Sequence, residues 1–296
     1  MAFWEKIKDL QSVLTTAHSV LYSLNDRKVS VFCVQIPYAS EREAIDFAKY
    51  GIDASGRKGY YKTMLDGVQR HIAVMQYLKE KEVPSVLVPE QITQEKVDGV
   101  NYIFVQTQAV SPIQQVLFCN QEIELLTLLD IFIRLTVVVR DLAQAQIHHR
   151  GISLDEVFLT EDNRIVVGGF YYADAVGGEQ PIVPYLPQHG KYLPPELLAG
   201  EPGTQAADMR TLAQMLYNFC AGVPWDTQWP AKPNIAPAYA PPELIPALLL
   251  GLNCKEEECN AFRRRLLDAR KAIAKSESKD IRIPIHHRVE NIYTYE

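Results

Sequence analysis

The chain has 296 residues, 47% of them hydrophobic and 22% charged, with a formal net charge of −6. This is an ordinary globular composition, with enough apolar side chain to bury a substantial core. The acidic balance argues against a broad nucleic-acid footprint, which needs a basic surface, and leaves room only for a local basic patch. The five cysteines (Cys33, Cys119, Cys220, Cys254 and Cys259) are odd in number and scattered, mostly in apolar runs. They read as the free thiols of a reducing compartment rather than a disulfide framework. Cys254 and Cys259 stand five apart with no histidine nearby, so they read as core or surface thiols rather than zinc ligands.

Met1-Ala2-Phe3-Trp4-Glu5-Lys6 has neither the apolar core nor the cleavage site of a signal peptide. Phe3, Ile7, Leu10 and Leu14 recur at helical spacing and predict a short amphipathic helix. Such a helix can lie on a membrane through Phe3 and Trp4. Glu5 and Asp9 beside its lysines favour packing on the domain instead. Two strands follow, His18 to Leu24 and Val29 to Ile36, joined by the turn-like Asn25-Asp26-Arg27-Lys28. Helices are expected over Ser40 to Lys49 and Tyr60 to Leu78. Strands at Ser85 to Val88 and Tyr102 to Gln106 flank Val97-Asp98-Gly99-Val100.

From about Gln121 the pattern turns to long helices, the first over Glu122 to Gln146. Its apolar stretch, Leu125 to Leu142, is interrupted by Asp130, Arg134, Arg140 and Asp141. A bilayer span needs about 20 mostly apolar residues, so this is a buried helix and no transmembrane segment is expected. Short strands at Val157 to Leu159 and Ile165 to Val167 surround Asp162-Asn163. A Gly- and Pro-rich stretch runs from Gly168 to Gly203. Helices over Ala206 to Ala221, Pro242 to Leu252 and Glu256 to Ala274 precede a polar tail from 276. Strands with interspersed helix followed by long helices make the fold class α+β.

The motifs narrow this class. Ile147-His148-His149-Arg150-Gly151-Ile152-Ser153-Leu154-Asp155-Glu156-Val157-Phe158-Leu159 resembles a protein kinase catalytic loop. The long helix before it, the strand pair after it and the spacing to Gly168-Gly169-Phe170 agree. Pro194-Pro195-Glu196 stands where kinases carry Ala-Pro-Glu, and Asp208-Met209-Arg210-Thr211-Leu212 opens a helix like the aspartate-led helix of the larger kinase lobe. The resemblance implies a bilobal kinase-like fold. Residues 1–108 would hold the N-terminal helix and a β-rich N-lobe, 109–275 a helical C-lobe, and 276–296 a tail.

Phosphoryl transfer needs a carboxylate for the substrate hydroxyl and oxygen ligands for magnesium. In this alignment the loop aspartate falls on Gly151, the loop lysine on Ser153 and the metal-binding asparagine on Glu156. The second metal ligand falls on Gly169. The strand lysine aligns with Gln35, and no glycine precedes Gly51, so a glycine-rich phosphate loop is absent. The helix from Tyr60 offers only Asp66 and Gln69 near the place of the partner glutamate. Scaffold positions remain. His149 and Arg150 are expected to brace the loop, Asp208 to accept from its backbone, and Glu196 to pair with one of Arg263, Arg264 or Arg265. The resemblance thus implies a pseudokinase with no catalytic residues, no metal and no cofactor.

Three segments are similar to the Scy-like, N-terminal-kinase-like family over roughly residues 20 to 270. They are Lys28-Val29-Ser30-Val31-Phe32, Gly168-Gly169-Phe170-Tyr171-Tyr172, and Tyr192-Leu193-Pro194-Pro195-Glu196-Leu197 followed by Ala207-Asp208-Met209-Arg210. That resemblance implies cytoplasmic scaffolding in vesicle or tRNA trafficking, with protein partners such as vesicle-coat components. The chain departs from the family in lacking a helical-repeat region and the tryptophan expected at Arg210.

Two rival functions are a nucleotide-responsive allosteric sensor and an atypical phosphotransferase. Asp155 with Glu156 as a metal pair, or Asp174 swinging back, would serve the latter; solvated or capping carboxylates are the plainer reading. Between Gly169 and Pro194 the only hydroxyl phosphoacceptors are Tyr171, Tyr172, Tyr185 and Tyr192, for which packing is the default. His148-His149 belong to the loop, and His286-His287 read as solvated. Trp225, Trp229 and the stretch Pro230 to Pro242 form either a docking surface or a packed loop.

Overall fold

The computed structural model describes residues 2–15, 19–24, 29–36, 53–117, 121–174, 181–183, 193–224 and 237–285, with side chains left out at 15, 24, 29–36, 54 and 55. The helix expected over Ser40 to Lys49, the link at Asn25 to Lys28, Tyr185, Tyr192, Trp225, Trp229, Pro230 and His286-His287 lie outside the described residues.

The chain opens with α1 (Phe3–Ile7). Its free N-terminal amides are satisfied by Glu95, whose carboxylate accepts from Phe3 N at 2.6 Å and Trp4 N at 3.1 Å. Phe3 stacks on Phe104 and Trp4 tilts against Tyr102. The apolar face is therefore spent on the domain. The helix stops at Ile7, short of the expected Leu10 and Leu14, and Leu14 enters β1 (Leu14–Thr15).

β2 (Val20–Leu24), β3 (Val29–Ile36), β4 (Pro89–Val97) and β5 (Val100–Gln108) join β1 in an antiparallel sheet of order β1-β2-β3-β5-β4. Val, Ile and Phe populate β3 because branched and aromatic side chains suit a pleated, half-buried surface. β4 and β5 form a two-residue hairpin in which Asp98 and Gly99 take φ of 50° and 84°. Those left-handed values are what a type I′ turn requires. The strand expected over Ser85 to Val88 is instead a single parallel bridge, Val86 to Val167, and the true strand begins at Pro89.

The long helix α2 (Ala54–Glu80) starts six residues before the expected Tyr60 because Asp53 Oδ1 caps Gly56 N at 2.8 Å. Tyr60, Met64, Val68, His71, Met75 and Leu78 form its buried stripe. Gly67 sits where a Cβ would come within 3.3 Å of the Tyr171 carbonyl, so the helix approaches that strip at closest range.

A second sheet, β6-β8-β9, is built from β6 (Val110–Pro112), β8 (Val157–Thr160) and β9 (Ile165–Val167). Between its first two strands come the short α3 (Ile113–Leu117), β7 (Glu122–Glu124) and α4 (Leu125–Gln144). α4 buries eleven residues, among them Leu128, Phe132, Leu135 and Val139. Around it pack α5 (Pro195–Leu198), α6 (Gln205–Ala221), α7 (Ile245–Leu252) and α8 (Cys259–Ile273). Among the described residues no helix is long and apolar enough to cross a membrane. The architecture is mixed α+β.

Two expectations are corrected at the ends of this half. Glu122 to Glu124 is a strand, not the first turn of a helix, because it pairs antiparallel with β10 (Arg282–Pro284). The stretch read as a tail from 276 therefore begins as ordered structure, a 3-10 turn (Glu277–Asp280) and then β10, with Ile283 fully buried. Ile283→Ala is expected to lower unfolding free energy by about 2–5 kcal/mol, the usual range for a buried Ile-to-Ala truncation. Urea denaturation followed by circular dichroism measures it, and an unchanged midpoint would mean that β10 is not packed in solution.

Candidate functional site

The loop between α4 and β8 carries the motif residues, and α6 holds it. Asp208 is buried one turn into α6, where Thr204 caps the helix by accepting from Ala207 N at 3.0 Å. Its two carboxylate oxygens accept from His149 N at 2.8 Å and Arg150 N at 3.0 Å. Arg150 takes a φ of 58°, a left-handed conformation costing a non-glycine residue about 1–2 kcal/mol. The carboxylate holds the peptide in that turn. The structure brings His149, Arg150 and Asp208 together.

Arg150 is only 1% exposed, and its charge is met from every side. Nη1 donates to the carbonyls of Tyr172 at 2.9 Å and Ile182 at 3.0 Å, Nη2 donates to Glu201 O at 3.1 Å, and Nε lies 3.5 Å from Asp174 Oδ1. Asp174 also accepts from Gly203 N at 2.9 Å. A Cβ on Gly203 would fall 2.6 Å from Arg150 Cγ, so only glycine fits beside the guanidinium. Asp174 is thereby committed to Arg150 and the Gly203 amide rather than turned toward Gly169.

The His149 ring links this anchor to the next strip. Nε2 donates to Gly168 O at 2.7 Å, and the ring lies 4.9 Å from that of Phe170. Phe170 N in turn donates to His71 Nδ1 of α2 at 3.0 Å, and His71 stacks on Tyr171 at 4.5 Å. A chain of contacts thus runs Asp208, His149, Phe170, His71, from α6 into α2. Burial holds both imidazoles neutral. It pushes His71 down to about 3, helped by proximity to His149, and His149 down to about 4. Burial pushes Asp208 up to about 6, against the two amide hydrogen bonds.

Gly169 and Gly151 are both covered. A Cβ on Gly169, whose φ is 73°, would lie 2.3 Å from Glu156 Cγ and 2.5 Å from its Cδ. Glu156, turned inward by the 3-10 turn Leu154–Glu156, occupies the space a side chain at 169 would take. Leu87 and Phe158 close the flank, each 3.5 Å from a Cβ built on Gly168, and both are buried. Tyr172 lies against Gly151 in the same way, its Cδ2 being 3.1 Å from a built Cβ. The Tyr171 hydroxyl, bonded to Ser19, is pushed well above its ordinary value by burial and the nearby Glu156 carboxylate.

Ser153 is buried, and its carbonyl accepts from Glu156 N at 3.1 Å. Asp155 accepts from Gln114 Nε2. Gln35 pairs with Tyr102 in the β3–β5 ladder, and its side chain lies outside the described residues. Asp66 and Gln69 line a groove of about 700 Å³ with Thr63, Arg70 and Ile182. Among the described residues no group of three or more His, Cys, Asp or Glu is placed to hold a metal ion.

Glu196 pairs with Arg210, not with any of Arg263, Arg264 and Arg265. Arg210 also donates to Cys254 O at 2.6 Å, while Arg264 and Arg265 are exposed on α8. Arg210 is two residues beyond Asp208, so α6 reaches α5 from the position where the family resemblance led one to expect tryptophan. His71 was not singled out from sequence, Tyr172 and Arg210 entered only as members of family-like segments, and Gly203 only as the end of a glycine-rich stretch.

Two expectations follow from this packing. Gly169→Ala should cost about 2–5 kcal/mol, adding left-handed strain to overpacking. In a double-mutant cycle with Glu156→Ala the two changes should be non-additive, the second relieving part of the first, as read by chemical denaturation. Strict additivity would show that Glu156 does not fill that space. The second concerns pH. Unfolded histidines take up protons near 6.5, whereas His71 and His149 resist to about 3 and about 4. The unfolded chain therefore binds more protons over that window, and stability falls as pH drops below about 6.5. Asp208, raised to about 6, acts with the opposite sign between roughly 4 and 6 and offsets part of the loss. The net loss from about pH 7.5 to 5 should be on the order of 2 kcal/mol. His71→Asn, which keeps an acceptor for Phe170 N, should flatten the slope in urea midpoints measured across that range.

Compared with known families and curated proteins, the chain matches no family model and no curated sequence.

Proposed function

We propose that this chain is a pseudokinase: a bilobal kinase-like protein that does not transfer phosphate and works as a protein-binding scaffold. The observation that carries the reading is the paired filling of the two glycine positions, Gly169 by Glu156 and Gly151 by Tyr172. In a phosphotransferase those places need open carboxylates, one for metal and one for the substrate hydroxyl. Here each is a glycine whose missing side chain is replaced by a neighbour's bulk. Support also comes from the retained anchors, since Asp208, His149 and Arg150 hold the loop as a scaffold would require. The order of elements, an antiparallel sheet with one long helix followed by a helical half, is compatible with the kinase layout.

The likeness of Gly168-Gly169-Phe170-Tyr171-Tyr172 and Pro194-Pro195-Glu196-Leu197 to the Scy-like family suggests the kind of role. It would be a cytoplasmic scaffold in vesicle trafficking, with coat proteins as the class of partner. Arg210 weakens one family feature while supplying the ion pair that secures α5.

Thermal denaturation with saturating ATP, ADP and GTP, each with and without magnesium or manganese, tests this reading. A ligand at 100 times its dissociation constant stabilises a fold by about 2.7 kcal/mol, which moves the melting temperature by several degrees. No shift is expected with any nucleotide. A metal-dependent shift accompanied by phosphate transfer to a protein substrate would overturn the proposal. A metal-independent shift would replace the simple scaffold with one that senses nucleotide.

A further inference from the structure

We propose that Cys254 and Cys259 form a dithiol–disulfide site, oxidised by a peroxide. The two sulfurs lie 3.9 Å apart, and both are directed at one carbonyl, Lys255 O, at 3.4 Å and 3.6 Å. They therefore face each other across the turn that leads from α7 into α8. A disulfide needs about 2.05 Å between sulfurs, so closure requires the two side chains to converge by nearly 2 Å with no need to reverse direction. Each residue is buried at 1–2% exposure, and Lys255, Glu256 and Glu257, which lie between them in sequence, are exposed.

The surroundings give the pair unequal roles. Arg210 donates to Cys254 O at 2.6 Å and places its guanidinium beside that thiol. The hydrogen bond from Cys259, aided by that charge, holds the Cys254 thiol below its ordinary value, and the same contact pushes Cys259 up. Cys254 is the nucleophile and Cys259 resolves. The Cys254 thiolate attacks one peroxide oxygen, the O–O bond breaks, and the other oxygen leaves as water on taking a proton. Cys254 is then a sulfenic acid. The Cys259 sulfur attacks the Cys254 sulfur, the S–S bond forms, and the S–O bond breaks, releasing a second water with the Cys259 proton. Two thiols are oxidised and one peroxide is reduced to two waters. The bridge would fasten the start of α8 to the turn after α7, and with it the carbonyl that holds Arg210.

The experiment exposes the full chain to hydrogen peroxide, denatures it in N-ethylmaleimide and maps the peptides by mass. The expected result is a Cys254–Cys259 peptide lighter by two hydrogens, carrying no maleimide and restored by dithiothreitol. Cys220, buried in the core and pushed up to about 12, remains alkylated as an internal control. Cys259→Ser should stop the reaction at a Cys254 sulfenic acid that dimedone captures. The proposal is overturned if both residues alkylate as in untreated protein, or if either links to a third cysteine. Should Cys259→Ser fail to fold, the wild-type peptide map decides alone.

Discussion

Much of this molecule hangs on one buried carboxylate. Asp208 accepts two consecutive backbone amides, and the second belongs to a residue in a left-handed turn. Without it the peptide at Arg150 would carry strain and unmet donors in a dry environment, each buried unmet group costing about 1–3 kcal/mol. With it, Arg150 can be sunk among four carbonyls and Asp174, and His149 is aimed at Gly168. The Gly168–Asp174 strip is held through this anchor on one flank and through His71 of α2 on the other. α6 has a second grip two residues later, where Arg210 secures Glu196 and the turn after α7.

Around this frame polar side chains are arranged to need no charge change. His71 and His149 each have one nitrogen committed to a backbone group, and both stay neutral in the core. The aromatic strip Phe170-Tyr171-Tyr172 packs on these rings, and Tyr171 also lies close to Gly67 on the same face of α2. Glu156 faces this strip with its carboxylate folded inward. The acids and bases of this centre are held in place by packing and hydrogen bonds.

The parts of the fold readable from sequence were those governed by local rules. Val29–Ile36 and Ile165–Val167 are strands because their branched side chains leave few alternatives, and Asp98-Gly99 specifies its own hairpin. β7 was unreadable for a physical reason: its partner β10 is about 160 residues away, and no short-range pattern encodes that pairing. The site divided likewise. His149, Arg150 and Asp208 could be named beforehand because their spacing resembles that of a kinase loop and the helix behind it. The partner of Glu196 was not, since three adjacent arginines on α8 present themselves in sequence while the single Arg210 on α6 is the one within reach. Tyr172 and His71 matter only through what folding brings beside them.

The mutual fit of Glu156 and Gly169 has a consequence for the history open to this sequence. An acidic side chain can be accommodated at 169 only after residue 156 has become smaller, and shrinking Glu156 first leaves a hollow in a packed centre. Either order passes through a less stable intermediate. The two positions are therefore locked to each other, and no single substitution at either one exchanges the arrangement without loss of stability.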